Sequence, residues 1–161
     1  MRSKISLTGF AILLFAFTSA AAGEKANLSG TWKLDPNKSF NNGPGFEQTM
    51  TIAHSGEKLT LDAKQKSPRG EVTINEEYTL DGAEAEFKPQ APPNAKGKRK
   101  ATWLANGRGI LVEDEIDDGQ ATRRIARKMT LSSDGKILTV DLFIDDNRGS
   151  FELKRVYSKV G

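Results

Sequence analysis

From Leu28 onward the chain alternates apolar and polar residues with a period of two, and turn-forming pairs cut the alternation at short intervals. Met50 and Ile52 stand against Thr49 and Thr51; Leu59 and Leu61 follow Ser55-Gly56; Val72, Ile74, Tyr78 and Leu80 follow Pro68-Arg69-Gly70. Asp81-Gly82 precedes Ala83, Ala85 and Phe87, and a further segment carries Ala101 and Trp103. Asn106-Gly107, Asp118-Gly119, Asp134-Gly135 and Asn147-Arg148-Gly149 introduce four more segments, ending with Phe151, Leu153 and Tyr157. A period of two puts alternate side chains on one face, the mark of a half-buried strand. Asp-Gly and Asn-Gly supply the positive φ that tight hairpins require. No helical period interrupts the series between Leu28 and Tyr157.

Short links make neighbours antiparallel, so the pattern predicts a meander. A long meander removes its exposed edges by closing on itself. The expected fold is therefore all-β, an antiparallel up-and-down barrel of about 8–10 strands. Two connections are longer. Asp35 to Glu47 holds Phe40 and Phe46 among glycines and prolines and reads as a packed Ω-like flap. Lys88 to Gly97 contains Pro89, Pro92 and Pro93, and the run Lys96, Lys98, Arg99, Lys100 beside it reads as a solvated loop and strand start.

The first residues stand outside this pattern. Arg2 and Lys4, an apolar stretch from Ile5 to Phe17, and then Thr18-Ser19-Ala20-Ala21-Ala22 have the layout of a secretory signal. The stretch is short for a membrane span. The expectation is a signal peptide over 1–22 and one barrel domain over 23–161, periplasmic or secreted, with no stable membrane insertion after cleavage. Removing Arg2 and Lys4 from the 24 basic residues leaves 22 against 21 acids. The basic pI of the whole chain is thus no argument for nucleic acid, and interspersed charges suit a solvated surface. With no cysteine and one histidine, thiolate zinc sites, Cys–His catalysis and His-rich metal sites are excluded. No Gly-x-Ser-x-Gly elbow is present, and the acidic clusters Glu113-Asp114-Glu115, Asp117-Asp118 and Asp145-Asp146 lack EF-hand spacing. The reading is non-enzymatic, with no metal and no cofactor.

Strand parity singles out charged positions. Arg155 shares a face with Phe151, Leu153 and Tyr157, and Arg123 and Arg127 share one with Ile125, Met129 and Leu131. Glu76 falls with Ile74 and Tyr78, and Asp114 with Ile110 and Val112. If the apolar members point inward, so do these charges, and a buried charge needs a partner or a ligand. The set either braces the barrel or receives an anionic head group.

Gly30-Thr31-Trp32-Lys33-Leu34 near the start and Arg155-Val156-Tyr157-Ser158-Lys159 at the end resemble the terminal strands of the calycins, the lipocalins and fatty-acid-binding proteins, and the layout resembles small exported lipocalin-like proteins of bacteria. The resemblance implies a barrel closed by Gly30 and Trp32, with Arg155 the natural partner stacked on Trp32. It also implies that Arg155 and Tyr157 grip a ligand carboxylate together with Arg127; the parity argument adds Arg123 to the candidate lining, and Trp103 joins it as an aromatic of the kind that packs a core or lines a cavity. The two uses of Arg155 conflict. The partner implied is a small hydrophobic or amphiphilic molecule, fatty-acid-like if acidic; the alternative is a filled barrel acting through its surface in the cell envelope. The chain departs from fatty-acid-binding proteins in one respect: Asp35 to Glu47 is too short for their two lid helices, so any portal must differ.

Overall fold

The computed structural model describes residues 24–161; the expected signal peptide lies outside the described residues. Ten strands follow one another: β1 (Gly30–Leu34), β2 (Glu47–Ser55), β3 (Lys58–Ser67), β4 (Gly70–Thr79), β5 (Glu84–Phe87), β6 (Lys96–Trp103), β7 (Gly109–Asp117), β8 (Thr122–Leu131), β9 (Ile137–Asp146) and β10 (Gly149–Val160). They form one antiparallel sheet in the order β4-β3-β2-β1-β10-β9-β8-β7-β6-β5. The meander is as the alternation predicts, with its two ends joined through β1 and β10. Full closure does not occur: β4 and β5 are consecutive in sequence yet stand at opposite edges, with no ladder between them. β5 is only four residues long, and Pro89, which cannot donate a ladder bond, follows close behind it.

Turn chemistry acts locally, as between β8 and β9. Gly135 takes φ +70°, and Asp134 accepts hydrogen bonds from the Lys136 amide and the Ser132 hydroxyl at 3.1 and 2.6 Å. Asp117, Asp118 and Asp146 likewise accept N–H groups of their own turns. The acids of Asp117-Asp118 and Asp145-Asp146 thus serve their turns, whereas Glu113-Asp114-Glu115 lies within β7, and no group of residues suited to hold a metal ion occurs among the described residues.

One end of the curled sheet is closed. Trp32, Ile52, Leu59, Tyr78, Ile110, Met129, Leu138 and Tyr157 pack there with almost no exposure. The strap preceding β1 crosses this end: Ala26 donates to the Gly107 carbonyl at 2.8 Å, and the Trp32 indole donates to the Leu28 carbonyl at 3.1 Å. Leu28 donates in turn to His54 Nδ1 at 3.3 Å. At the other end the inward-facing side chains are only partly covered; Val72 is 53% and Phe151 45% exposed, while Ile74, Ile125, Ile144 and Leu153 are half-buried. The interior is therefore packed at the bottom and open at the mouth.

The connection after β1 runs back along β10 as a broken extension of the sheet. Phe40 exchanges backbone hydrogen bonds with Lys154, and Asp35 donates to the Val156 carbonyl. Of the flap's two aromatics, Phe46 is buried and Phe40 is 55% exposed.

Outward-facing charges change sign from strand to strand. Lys98, Glu115, Arg124 and Asp145 lie in register across β6 to β9, and Arg124 Nε sits 3.1 Å from Glu115. Opposite charges facing each other across strands favour this register over a slip. Backbone proximity fixes another point: a Cβ on Gly109 would lie 2.1 Å from the Met129 carbonyl oxygen. Gly109→Ala is therefore expected to destabilise the protein by about 2–3 kcal/mol, as overpacking against backbone does, read from the midpoint of urea unfolding.

Candidate ligand site inside the sheet

The inward charges fall into two groups. The first centres on Asp114 of β7, whose side chain has no solvent exposure. Arg99 of β6 binds it as a fork, Nε to Oδ1 at 2.6 Å and Nη2 to Oδ2 at 2.9 Å. Arg127 of β8 donates from Nη1 to Oδ2 at 2.6 Å. Arg99 also reaches across the open seam to β4, with Nη1 2.5 Å from the Glu76 carboxylate and 3.2 Å from the Glu77 carbonyl oxygen. Its guanidinium carbon lies 4.0 Å from the Phe87 ring centroid and 4.8 Å from that of Tyr78, within cation–π range of both. Two arginines face two carboxylates, so the group is neutral. Burial disfavours the charge on Arg99, but the bonds and charge of Asp114 outweigh that and hold its pKa above the ordinary value.

The second group lies on β10 and β2. The Tyr157 hydroxyl donates to Oε1 of buried Gln48. Arg155 donates from Nη1 to the same oxygen at 3.4 Å and from Nε to Asn42 Oδ1 at 3.0 Å, with its guanidinium over the Phe46 ring at 4.6 Å. Among the described residues Arg155 has no carboxylate within ion-pair distance, and the acceptors it donates to are neutral amide oxygens. Burial pushes the Tyr157 hydroxyl up to about 12, against the opposing influence of Arg155. Burial does the same to Tyr78, also to about 12.

These placements sort the sequence-based expectations. Arg155 and Tyr157 come together on Gln48. Arg127 does not join them; Asp114 holds it, in the register row of Leu142 and Leu153 rather than that of Arg155 and Val140. Arg123 is exposed at the mouth, 3.6 Å from Asp146. Trp103 sits at the closed end, its ring 5.3 Å from that of His54 and capped by Lys25. Gly30 and Trp32 lie at the closed end, but the cation over Trp32 is Lys159, at 5.3 Å from the ring centroid. That corrects the expected stacking of Arg155 on Trp32. Register explains it, since Trp32 pairs with Lys159 across β1 and β10, and Gly30 leaves room for the lysine stem. A second correction concerns Arg99, expected in solvent with its lysine neighbours and found 8% exposed in the interior. Its parity with Ala101 and Trp103 carries the signal. Gln48 shares parity with Met50 and Ile52 in the same way, whereas Asn42 comes from a loop and has no periodic signal.

Solved structures share this architecture. Zebrafish ileal bile acid-binding protein in complex with cholic acid aligns with a TM-score of 0.56 at 15% identity, over 83% of this chain and 98% of its own. Secretory abundant heat soluble protein 4 from Ramazzottius varieornatus aligns with a TM-score of 0.51 at 12% identity, over 83% of this chain and 95% of its own. At such identities the likeness shows the fold alone, an antiparallel meander curled into an incompletely closed barrel. No protein-family model matches the sequence, and no curated protein matches it.

Removing the shared counter-ion leaves Arg127 without a carboxylate and Arg99 with Glu76 alone, so Asp114→Ala is expected to cost about 3–5 kcal/mol in denaturant unfolding. The tyrosines give a pH test, because Tyr78 and Tyr157 are the chain's only two. Both are raised from 10.0 to about 12 in the fold. The stability they contribute is fully present below pH 10 and is lost as pH rises toward 12. Near-ultraviolet phenolate absorbance of the native protein is expected to stay flat through the range in which the urea-unfolded chain titrates.

Proposed function

We propose that this protein is an exported, non-enzymatic binding protein for a small acidic amphiphile, held with its tail in the open mouth and its carboxylate toward Arg155. The observation that carries the reading is the state of Arg155: an inward, half-buried guanidinium with no carboxylate partner, beside the Tyr157 hydroxyl. A ligand carboxylate would supply the missing counter-charge through charge-assisted hydrogen bonds. Arg127 enters as a neighbour already committed to Asp114 rather than as a second gripping residue. The incompletely covered Ile74, Ile125, Ile144, Leu153 and Phe151 offer apolar surface to methylenes, each worth about 0.8 kcal/mol when buried. That a protein of the same fold is known in complex with cholic acid, itself an acidic amphiphile, supports the ligand class. Export to a periplasm or beyond rests on the leader-like residues 1–22.

The packed bottom, where Trp32, Leu59, Ile110 and Leu138 are wholly buried, favours a second reading, a filled envelope protein with no small ligand. Native mass spectrometry of the purified chain, followed by fluorescence titration with cholate and palmitate, separates the two. The expected result is saturable binding that weakens about tenfold or more in Arg155→Gln, the scale of one lost charged hydrogen bond, while hexadecanol binds wild type and variant alike. No co-purified amphiphile and no binding of either acid would leave the filled-barrel reading.

A further inference from the structure

The outward charges follow a rule that the seam breaks. Taking the outward-facing positions of each strand, β3 carries Lys58, Lys64 and Lys66 against Asp62, and β4 carries Glu71 and Glu77 with no base. Beyond the seam, β5 carries Glu84 and Glu86, β6 carries Lys96, Lys98 and Lys100, β7 carries Glu113, Glu115 and Asp117, and β8 carries Arg124 and Lys128. β9 then carries Asp141 and Asp145. Sign alternates at every hydrogen-bonded step from β5 to β9 and from β3 to β4. Across the seam two acidic strands face each other, as though one basic strand were missing.

The backbone there is equipped to receive a strand. The Glu77 carbonyl points into the seam, where it accepts Arg99. Alternation then turns the main-chain N–H and C=O groups of Glu71, Thr73 and Asn75 the same way. β3 pairs all ten residues of β4 on its other side, so these groups form an unpaired edge. Arg99 pins the seam at the Glu76–Tyr78 level, leaving Gly70–Asn75 as its open stretch toward the mouth. The inward positions on the two lips are apolar: exposed Val72 and half-buried Ile74 on β4, exposed Ala85 and half-buried Phe87 on β5.

We infer that this seam binds an extended segment of another protein by strand addition, and that the segment alternates Lys or Arg with apolar residues. Main-chain bonds to β4 supply affinity, and alternate side chains supply specificity. The basic side chains face outward beside Glu71 on one lip and Glu86 on the other, and the apolar ones enter the mouth beside Val72 and Phe87. The chain contains its own precedent. β6, with outward lysines, pairs with β5 so that Lys98 meets Glu86 and Lys100 meets Glu84 in register, and Lys98 Nζ lies 3.2 Å from Glu84. A basic segment suits this edge better than a second copy of the chain paired about Ile74, which sets Glu71 against Glu77, since like charges directly opposite destabilise a sheet.

The test uses a capped, fluorescently labelled peptide alternating lysine and valine, titrated into the full chain and read by anisotropy. Saturable binding is expected, weakening about tenfold or more in the double variant Glu71→Lys, Glu77→Lys. Thr73→Pro is expected to abolish binding with the thermal midpoint kept, because its N–H faces the seam and contributes nothing to the β3 ladder. Should that variant fold poorly, the peptide N-methylated along one edge gives the same test on the wild-type chain and is expected not to bind. Equal binding of the N-methylated peptide, equal binding of a glutamate–valine peptide, or no binding of the lysine–valine peptide would each overturn the inference. So would a dimer in sedimentation velocity that Thr73→Pro dissociates, which would make a second copy the occupant.

Discussion

Across the missing ladder of the curled sheet runs one guanidinium that, among the described residues, carries both an ion pair and a main-chain hydrogen bond to β4. Arg99 starts on β6, passes under β5 where the inward residue opposite it is Ala85, and ends on the main chain and carboxylate of β4. A lysine could not do this: the planar fork binds Asp114 with two nitrogens while a third reaches Glu76 and Glu77. The arrangement is expensive in desolvation, and it persists only because every buried charge in it has a partner. Asp114 has two arginines, Arg99 has two carboxylates, and aromatic rings of β4 and β5 flank the cation. Closure is therefore a property of side chains where a continuous barrel would have made it a property of backbone.

That network decides what is left for binding. Once Asp114 has taken Arg127, Arg155 is, among the described residues, an interior cation with no carboxylate partner, and the Tyr157 phenol lies beside it. The two groups lie in different register rows and have different chemistry. One is neutral and fixes the seam; the other is cationic and hydrogen-bonded only to amides. The same division runs along the barrel axis. The packed bottom around Trp32 and Leu28 supplies stability, and the uncovered mouth exposes apolar side chains to solvent, a cost that burying a ligand would recover.

What the sequence reveals of this molecule is what is local. Period-two alternation and Gly-containing turns act within a few residues, so nearly every strand and turn was legible. The closing of the sheet was not. It depends on β5 stopping after four residues and on Arg99 crossing to β4, and neither follows from alternation alone. Arg99 was hidden by composition: three lysines surround it, and the solvated character of the run overrides a parity argument that places residue 99 with Ala101. Lys159 displaced Arg155 over Trp32 for another reason. Parity says which face a residue occupies but not which residue it meets across the sheet, and the offset of β1 on β10 is long-range information.

Inner and outer faces of the same strands solve the charge problem at different ranges, and the seam follows from that difference. Outside, lysines and glutamates pair across one strand spacing, roughly 4.8 Å, so from β5 to β9 each strand takes the sign opposite to its neighbour. Inside, a pair that must span two spacings needs the longer reach of an arginine, and among the described residues Arg99 makes that crossing. At the seam the outer rule fails, since both lips are acidic and repel, while the inner one succeeds because Arg99 is cationic toward both β4 and β7. The acidic lips and the buried arginine are thus complementary: the glutamates keep the strands from closing over each other, and the guanidinium keeps them from parting.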